Sequence, residues 1–239
     1  MFNGLRKAVT FSYDDGVVQD RRLIAMFDKY GLKATFNLNS GLFGQTSKIH
    51  RNNIDLDHTR FSADEIREVY RGHEVAAHTL THPLLPELEE EEIIRQVDCD
   101  RRNLEELAGY PVCGMAYPCG GQNNDDRVAG IIGRCTPIRY ARTIVSSYSF
   151  DLQSNLLRFN PTVHHMEFDR LFSLGDEFIS LKPDTPKIFY IWGHSYEFDY
   201  RPEYWDRMEE FCRMISRHED IFYGTNREVL LNEPPVPAV

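Results

Sequence analysis

A chain of 239 residues has room for one large α/β domain, the preferred reading, or two small ones. Its formal net charge of −10 argues against nucleic acid or an anionic membrane as partner, since both need a basic face. No stretch is long and apolar enough to span a bilayer. Cys99, Cys113, Cys119, Cys135 and Cys212 show no CxxC spacing, so they form neither a zinc ribbon nor a disulfide framework, in keeping with a reducing compartment.

Residues 1–7 run into the first strand without a signal-peptide core, so a chain starting naturally at this Met is expected to be cytoplasmic. Residues 7–13 read as strand, and Asp14-Asp15-Gly16 ends it, because aspartates are poor strand formers and Gly16 permits a turn. Residues 18–30 read as a helix with Leu23, Phe27 and Tyr30 on one face and Gly31 as its stop. Residues 32–39 alternate strictly, giving a strand whose polar face carries Asn37 and Asn39 and could look into an active site. Residues 40–61 are polar and aperiodic, a loop of a length that is uncommon and often functional.

Ser62-Ala63-Asp64-Glu65 is a capping box opening a short helix to Tyr70. A third strand covers 74–77, and a long acidic helix covers 86–108, closed by Gly109 and Pro111. Strand four covers 112–116, a helix 125–135, and strand five 140–143. Residues 144–167 fit no pattern. A helix at 169–180, an aromatic strand at 188–192, an amphipathic helix at 203–218 and a last strand at 221–223 follow. Thr225 caps a final helical turn, and residues 233–239 form an extended tail. Strands alternating with helices imply a mostly parallel sheet, and seven of them suit barrel-like closure of a single domain.

In parallel barrels chemistry collects at the C-terminal strand ends. Asp14 and Asp15, His78, Pro118 and His194 all stand at such ends. His78-Thr79-Leu80-Thr81-His82 offers two imidazoles, either on one helical face or in a tight loop, given Pro83. Asp14 or Asp15 would add a carboxylate, completing a ligand set for a divalent ion. The neighbouring acid is then free to take a proton from water made acidic by the ion. His194, ending an apolar strand at Trp192-Gly193-His194, can return a proton to a leaving amine. Two imidazoles and a carboxylate suit zinc first, with cobalt, nickel and iron as other occupants.

These motifs together resemble the polysaccharide deacetylase family, the NodB-homology or carbohydrate esterase family 4 group, over roughly residues 8–225. The family's TFDDG motif is similar to Thr10-Phe11-Ser12-Tyr13-Asp14-Asp15-Gly16, with two residues between Phe11 and the acids. The resemblance makes Asp14 the catalytic base and Asp15 a metal ligand. Its H(S/T)xxH motif matches His78 to His82, which makes both histidines ligands, and Gly72-His73-Glu74-Val75 matches the approach to it. Ala116-Tyr117-Pro118-Cys119-Gly120 resembles the third motif, so that Tyr117, Pro118 and Cys119 line the substrate and a backbone N–H near Cys119 faces an oxyanion. The strand ending in Trp192 and His194 resembles the fifth motif and makes His194 the general acid, with Trp192 beside the substrate. The implied fold is an irregular seven-stranded (β/α) barrel. The implied activity is metal-dependent removal of N-acetyl groups from a sugar or oligosaccharide.

Two departures stand out. Ala116 occupies the place of the family's third-motif arginine, and Arg142, at the end of strand five, is preferred over Arg158 as its substitute. The fourth motif is not recognisable; Asn160-Pro161-Thr162-Val163-His164-His165 stands in that region, and the two histidines either line the substrate site or, the preferred reading, belong to exposed loop. Cys119 reads as an inert small apolar residue. The departures leave open a linear or cyclic non-sugar amide as substrate, or a carbohydrate-binding protein without turnover. Tyr196-Glu197-Phe198-Asp199-Tyr200 reads as a specificity loop.

Overall fold

The computed structural model describes residues 1–51 and 53–237. The other strands assemble on β1 (Lys7–Asp14), every residue of which is buried. Along the chain follow α1 (Asp20–Tyr30), β2 (Ala34–Leu38), the hairpin of β3 (Lys48–Arg51) and β4 (Ile54–Asp57), α2 (Ile66–Val69) and β5 (Glu74–Ala77). Next come α3 (Glu90–Ala108), β6 (Gly114–Ala116), α4 (Asp126–Cys135), β7 (Tyr140–Arg142) and β8 (Val163–His164). The last elements are α5 (Phe168–Ser180), β9 (Lys187–Gly193), α6 (Pro202–Ile215), β10 (Ile221–Tyr223) and α7 (Asn226–Leu231).

The main sheet is parallel and runs β7-β6-β5-β2-β1-β9-β8, with β10 paired to the first half of β1 where β2 pairs with the second. The sheet curls until residues 159–164 touch both of its edges. Phe159 bridges to Arg142 on β7, and Val163 pairs with Ile191 on β9. This is the single-domain irregular barrel that the strand–helix alternation implies. No helix among the described residues is long and apolar enough to cross a membrane.

Period-two alternation decides what faces the barrel axis. Val9, Phe11 and Tyr13 belong to the apolar cluster shared with the helices. Thr10, Ser12 and Asp14 turn inward: Thr10 donates to Asn226, while Ser12 and Asp14 both accept from Asn37. The floor is apolar, with Phe2, Ala8, Tyr140, Ile188 and Val229 in one cluster, and α7 plugs it. The interior thus grows more polar toward the strand ends, where the ionisable groups sit.

Three readings need correction. Residues 40–61 are not merely loop: β3 and β4 form an antiparallel hairpin, too short to register as periodic against the polar sequence around it. The helix expected over 203–218 stops at Ile215, and Arg217 takes a left-handed φ of 62°. His165 is not an exposed loop residue but fully buried, because β8, unread in the sequence, carries that segment onto β9. In the tail, Glu233 pairs with Arg227 and Val236 packs on the core, while residues 238–239 lie outside the described residues.

Candidate metal centre and active site

The strand ends surround a cavity of about 340 Å³ lined by Asp14, Asp15, His78, His82, Trp192 and His194 among others. Asp15 follows β1 in a left-handed conformation, φ 82°, held by its N–H donating to the Asn37 carbonyl. Thr79, His82 and Cys119 share this uncommon conformation. Backbone of this kind persists only where surroundings over-determine it, and here it bends three loops toward one point. Asn39 secures one of them by donating from Nδ2 to the His78 and Thr79 carbonyls. The His78–His82 segment is therefore a tight loop and not a helical face.

His78 Nδ1 lies 2.9 Å from the Ala116 carbonyl, so it carries the proton and leaves Nε2 as a bare lone pair. That Nε2 stands 3.9 Å from Asp15 Oδ1, and His82 Nε2 stands 3.7 Å from the same oxygen. Burial pushes both imidazoles below their ordinary pKa, His82 to about 4, so both are neutral at pH 7 with lone pairs that could serve as ligands. Burial would raise the Asp15 carboxyl, but His58 Nε2, donating at 3.0 Å to Oδ2, and the facing imidazoles hold it well below the usual range. Asp15 Oδ1 is buried without a hydrogen-bond partner among the described residues. An orphaned anionic oxygen facing two imidazole lone pairs is what a divalent ion needs, so the residues fit one.

Asp14 occupies the other side. Asn37 Nδ2 donates to its Oδ1 at 2.8 Å, and Arg142 Nη2 donates to its Oδ2. Burial alone would raise this carboxyl; Arg142, then His78 and His194, overcome it and keep Asp14 ionised. Arg142 is wholly buried, its guanidinium 4.4 Å from the Trp192 ring centre. Arg158 pairs instead with Asn124 and Asp126 near the surface.

His194 Nε2 lies 3.9 Å from Asp14 Oδ2, and its Nδ1 lies 3.2 Å from Glu197 Oε2. Burial would lower the His194 pKa, but Glu197, with Asp15 and Asp14, raises it to about 9. Glu197 Oε2 also accepts from His165 Nε2 at 2.9 Å and lies 3.2 Å from His164 Nε2. The far nitrogens of that pair meet the Met166 N–H and the Tyr13 hydroxyl. This second cluster gathers three imidazoles on one carboxylate, and the His164, His165 and Glu197 ligand atoms also lie close enough together to hold an ion.

Replacing Glu197 with Gln should lower the His194 titration from about 9 toward the ordinary 6.5, read by imidazole NMR in metal-free protein. Because the folded pKa is raised, the pair's contribution to stability is full below pH 6.5 and lost as pH climbs through 9. An unmoved titration in Glu197→Gln would detach Glu197 from His194.

Tyr117 and Cys119 line the cavity; Pro118 is buried in the turn between them, and Arg142 lies beneath Asp14. The Cys119 N–H points at His82 Nε2 from 3.4 Å, beside the ligand set. His58 and Arg60 escaped the sequence reading, as did the role of Glu197 beside His194, while Tyr196 was read only as part of a specificity loop. Their only signals were the length of the 40–61 segment and the acidic aromatic run after His194.

The polysaccharide deacetylase profile matches residues 3–131. A Streptococcus pyogenes deacetylase, PplD, solved with acetate, superposes at TM-score 0.51 and 20% identity over 62% of this chain and 61% of its own. A Bacillus cereus polysaccharide deacetylase gives TM-score 0.50 and 20% identity over 62% of this chain and 44% of its own. This chain therefore spans less than two thirds of either. Puue allantoinase superposes at TM-score 0.69 and 13% identity over 95% of this chain and 90% of its own. No curated protein sequence matches. With more than half of its length under that profile, the chain belongs to the polysaccharide deacetylase family.

Proposed function

We propose that the protein is a metal-dependent hydrolase that removes the acetyl group from an N-acetylated sugar or oligosaccharide. The observation that carries this reading is the convergence of Asp15 Oδ1, an unpartnered buried oxygen, with the Nε2 atoms of His78 and His82. Zinc is the first expectation for such a set, with cobalt, nickel or iron as other occupants. A bound divalent ion supplies Lewis-acid polarisation of the amide carbonyl and lowers the pKa of water.

This chain's residues do the rest. Asp14, kept ionised by Arg142, takes the proton from the attacking water. The Cys119 N–H, which points at His82 Nε2 here, becomes free to donate to the substrate's carbonyl oxygen once that lone pair is taken by an ion. His194, kept protonated by Glu197, gives its Nε2 proton to the departing amine nitrogen. Trp192 and Tyr196 wall the cavity as flat surfaces for a sugar ring.

The close overlap with Puue allantoinase along most of this chain supports a second reading, hydrolysis of a linear or cyclic non-sugar amide by the same groups. A carbohydrate-binding protein without turnover is disfavoured, because a base, an acid and a ligand set all face one cavity. The discriminating experiment loads the protein with Zn²⁺, Co²⁺, Ni²⁺ or Fe²⁺ and assays N-acetylated sugars beside ureides and cyclic amides. Acetate release from the sugars supports the first reading; ring opening alone supports the second; no turnover of either class contradicts both.

A further inference from the structure

We propose that Arg60 is a specificity-determining residue that takes a carboxylate of the substrate, so that the preferred substrate is an acidic amide. This rests on the hydrolase reading only for what happens after binding.

Arg60 follows the β3–β4 hairpin and is pinned at its backbone, where its N–H donates to the Gln45 carbonyl and the residue bridges to Val17. Its side chain is 8% exposed and lines the cavity. A guanidinium buried to that degree ordinarily has anions in contact, since it carries five donors and cannot shed its charge. Arg60 does not. Among the described residues the carboxylate it approaches is Asp15, whose Oδ1 is 3.9 Å from Nη2, beyond hydrogen-bond range. Nη1 reaches only the His58 ring nitrogen, at 3.5 Å. Nε is buried with no hydrogen-bond partner among the described residues.

Asp15 cannot be drawn in to satisfy it. Its Oδ2 already accepts from His58, and its Oδ1 faces His78 and His82. Arg142 shows what a satisfied guanidinium looks like in the same molecule: it is paired with Asp14, with Nε on the Ser12 hydroxyl and Nη1 on the Thr143 carbonyl. Arg60 is the counterpart left open on the cavity side. Carboxylate is the group that matches a guanidinium fork, with two parallel charge-assisted hydrogen bonds.

The test uses two pairs of probes in which only charge differs: N-acetylmuramate and its carboxamide, and hydantoin-5-acetate and its carboxamide. Dissociation constants come from quenching of tryptophan fluorescence, since Trp192 lines the cavity, and kcat/KM is measured alongside. In at least one pair the acid should bind about 10- to 100-fold tighter than its carboxamide, the factor for a hydrogen bond to a charged group. Arg60→Gln should erase that preference. Arg60→Lys, which keeps the charge but not the fork, should reduce it several-fold and decides the matter if the Gln variant does not fold. Equal binding of acid and carboxamide to the unaltered protein in both pairs, failure of both acids to bind, or a preference untouched by the variants would overturn the proposal. Preferential binding without hydrolysis would sink the hydrolase reading and leave Arg60's role standing; hydrolysis without preference would do the opposite.

Discussion

Asp14→Asn should lower kcat by about 10²- to 10⁴-fold while the protein folds and still takes up its metal, the range for loss of a positioned general base. The argument is geometric. Asp14 Oδ2 faces His78 Nε2 at 4.0 Å and His194 Nε2 at 3.9 Å across the cavity, yet it is Asp15 whose free oxygen stands nearest both ligand imidazoles. Asparagine keeps the shape and an acceptor but cannot hold a proton taken from water. Metal content, circular dichroism and steady-state kinetics on one preparation check the result. Activity equal to that of the unaltered protein would remove Asp14 from the chemistry.

Arg142→Met should be the most destabilising single change at the site, by about 3–5 kcal/mol at neutral pH, the usual effect of stripping one partner from a buried ion pair. Arg142 is wholly buried and Asp14 nearly so, and no other cation within hydrogen-bond reach replaces the guanidinium among the described residues. The pH dependence gives a second handle. In the unaltered protein the Asp14 pKa is depressed, so its contribution to stability is present above the unfolded value of 3.8 and lost as pH falls through the folded one. In the variant, burial acts unopposed by Arg142 and raises the carboxyl, so the stability gap should be widest near pH 7 and close on acidification. Urea unfolding at a series of pH values measures it. A gap independent of pH would mean that the arginine acts through packing on Trp192 and not through Asp14.

How much of this was legible in the sequence depends on how far apart the partners lie. The alternation of apolar and polar residues over 32–39 gave away which side of β2 faces the axis, and Asn37 does reach Asp14. Aspartates and histidines at strand ends announced themselves through spacing. Arg142 was reachable because it ends a strand, although the pair itself joins residues 128 positions apart. Glu197 and Arg60 were not: a glutamate three residues after a histidine and an arginine in a polar loop look like surface groups until the chain is folded. His165 misled for a related reason. A two-residue strand such as β8 has no periodicity to detect, and only its pairing with β9 buries the ring. Local pattern reports a residue's neighbours along the chain, and burial is decided by neighbours across it.

The most direct trial of the central claim is a calorimetric titration of the apo protein with Zn²⁺, repeated on Asp15→Asn, His78→Ala and His82→Ala. The account expects one tight site per chain in the unaltered protein, severely weakened in each variant, and a loss of activity that follows the loss of the ion. Full activity with no bound divalent ion, or an undiminished site in all three variants, would contradict it.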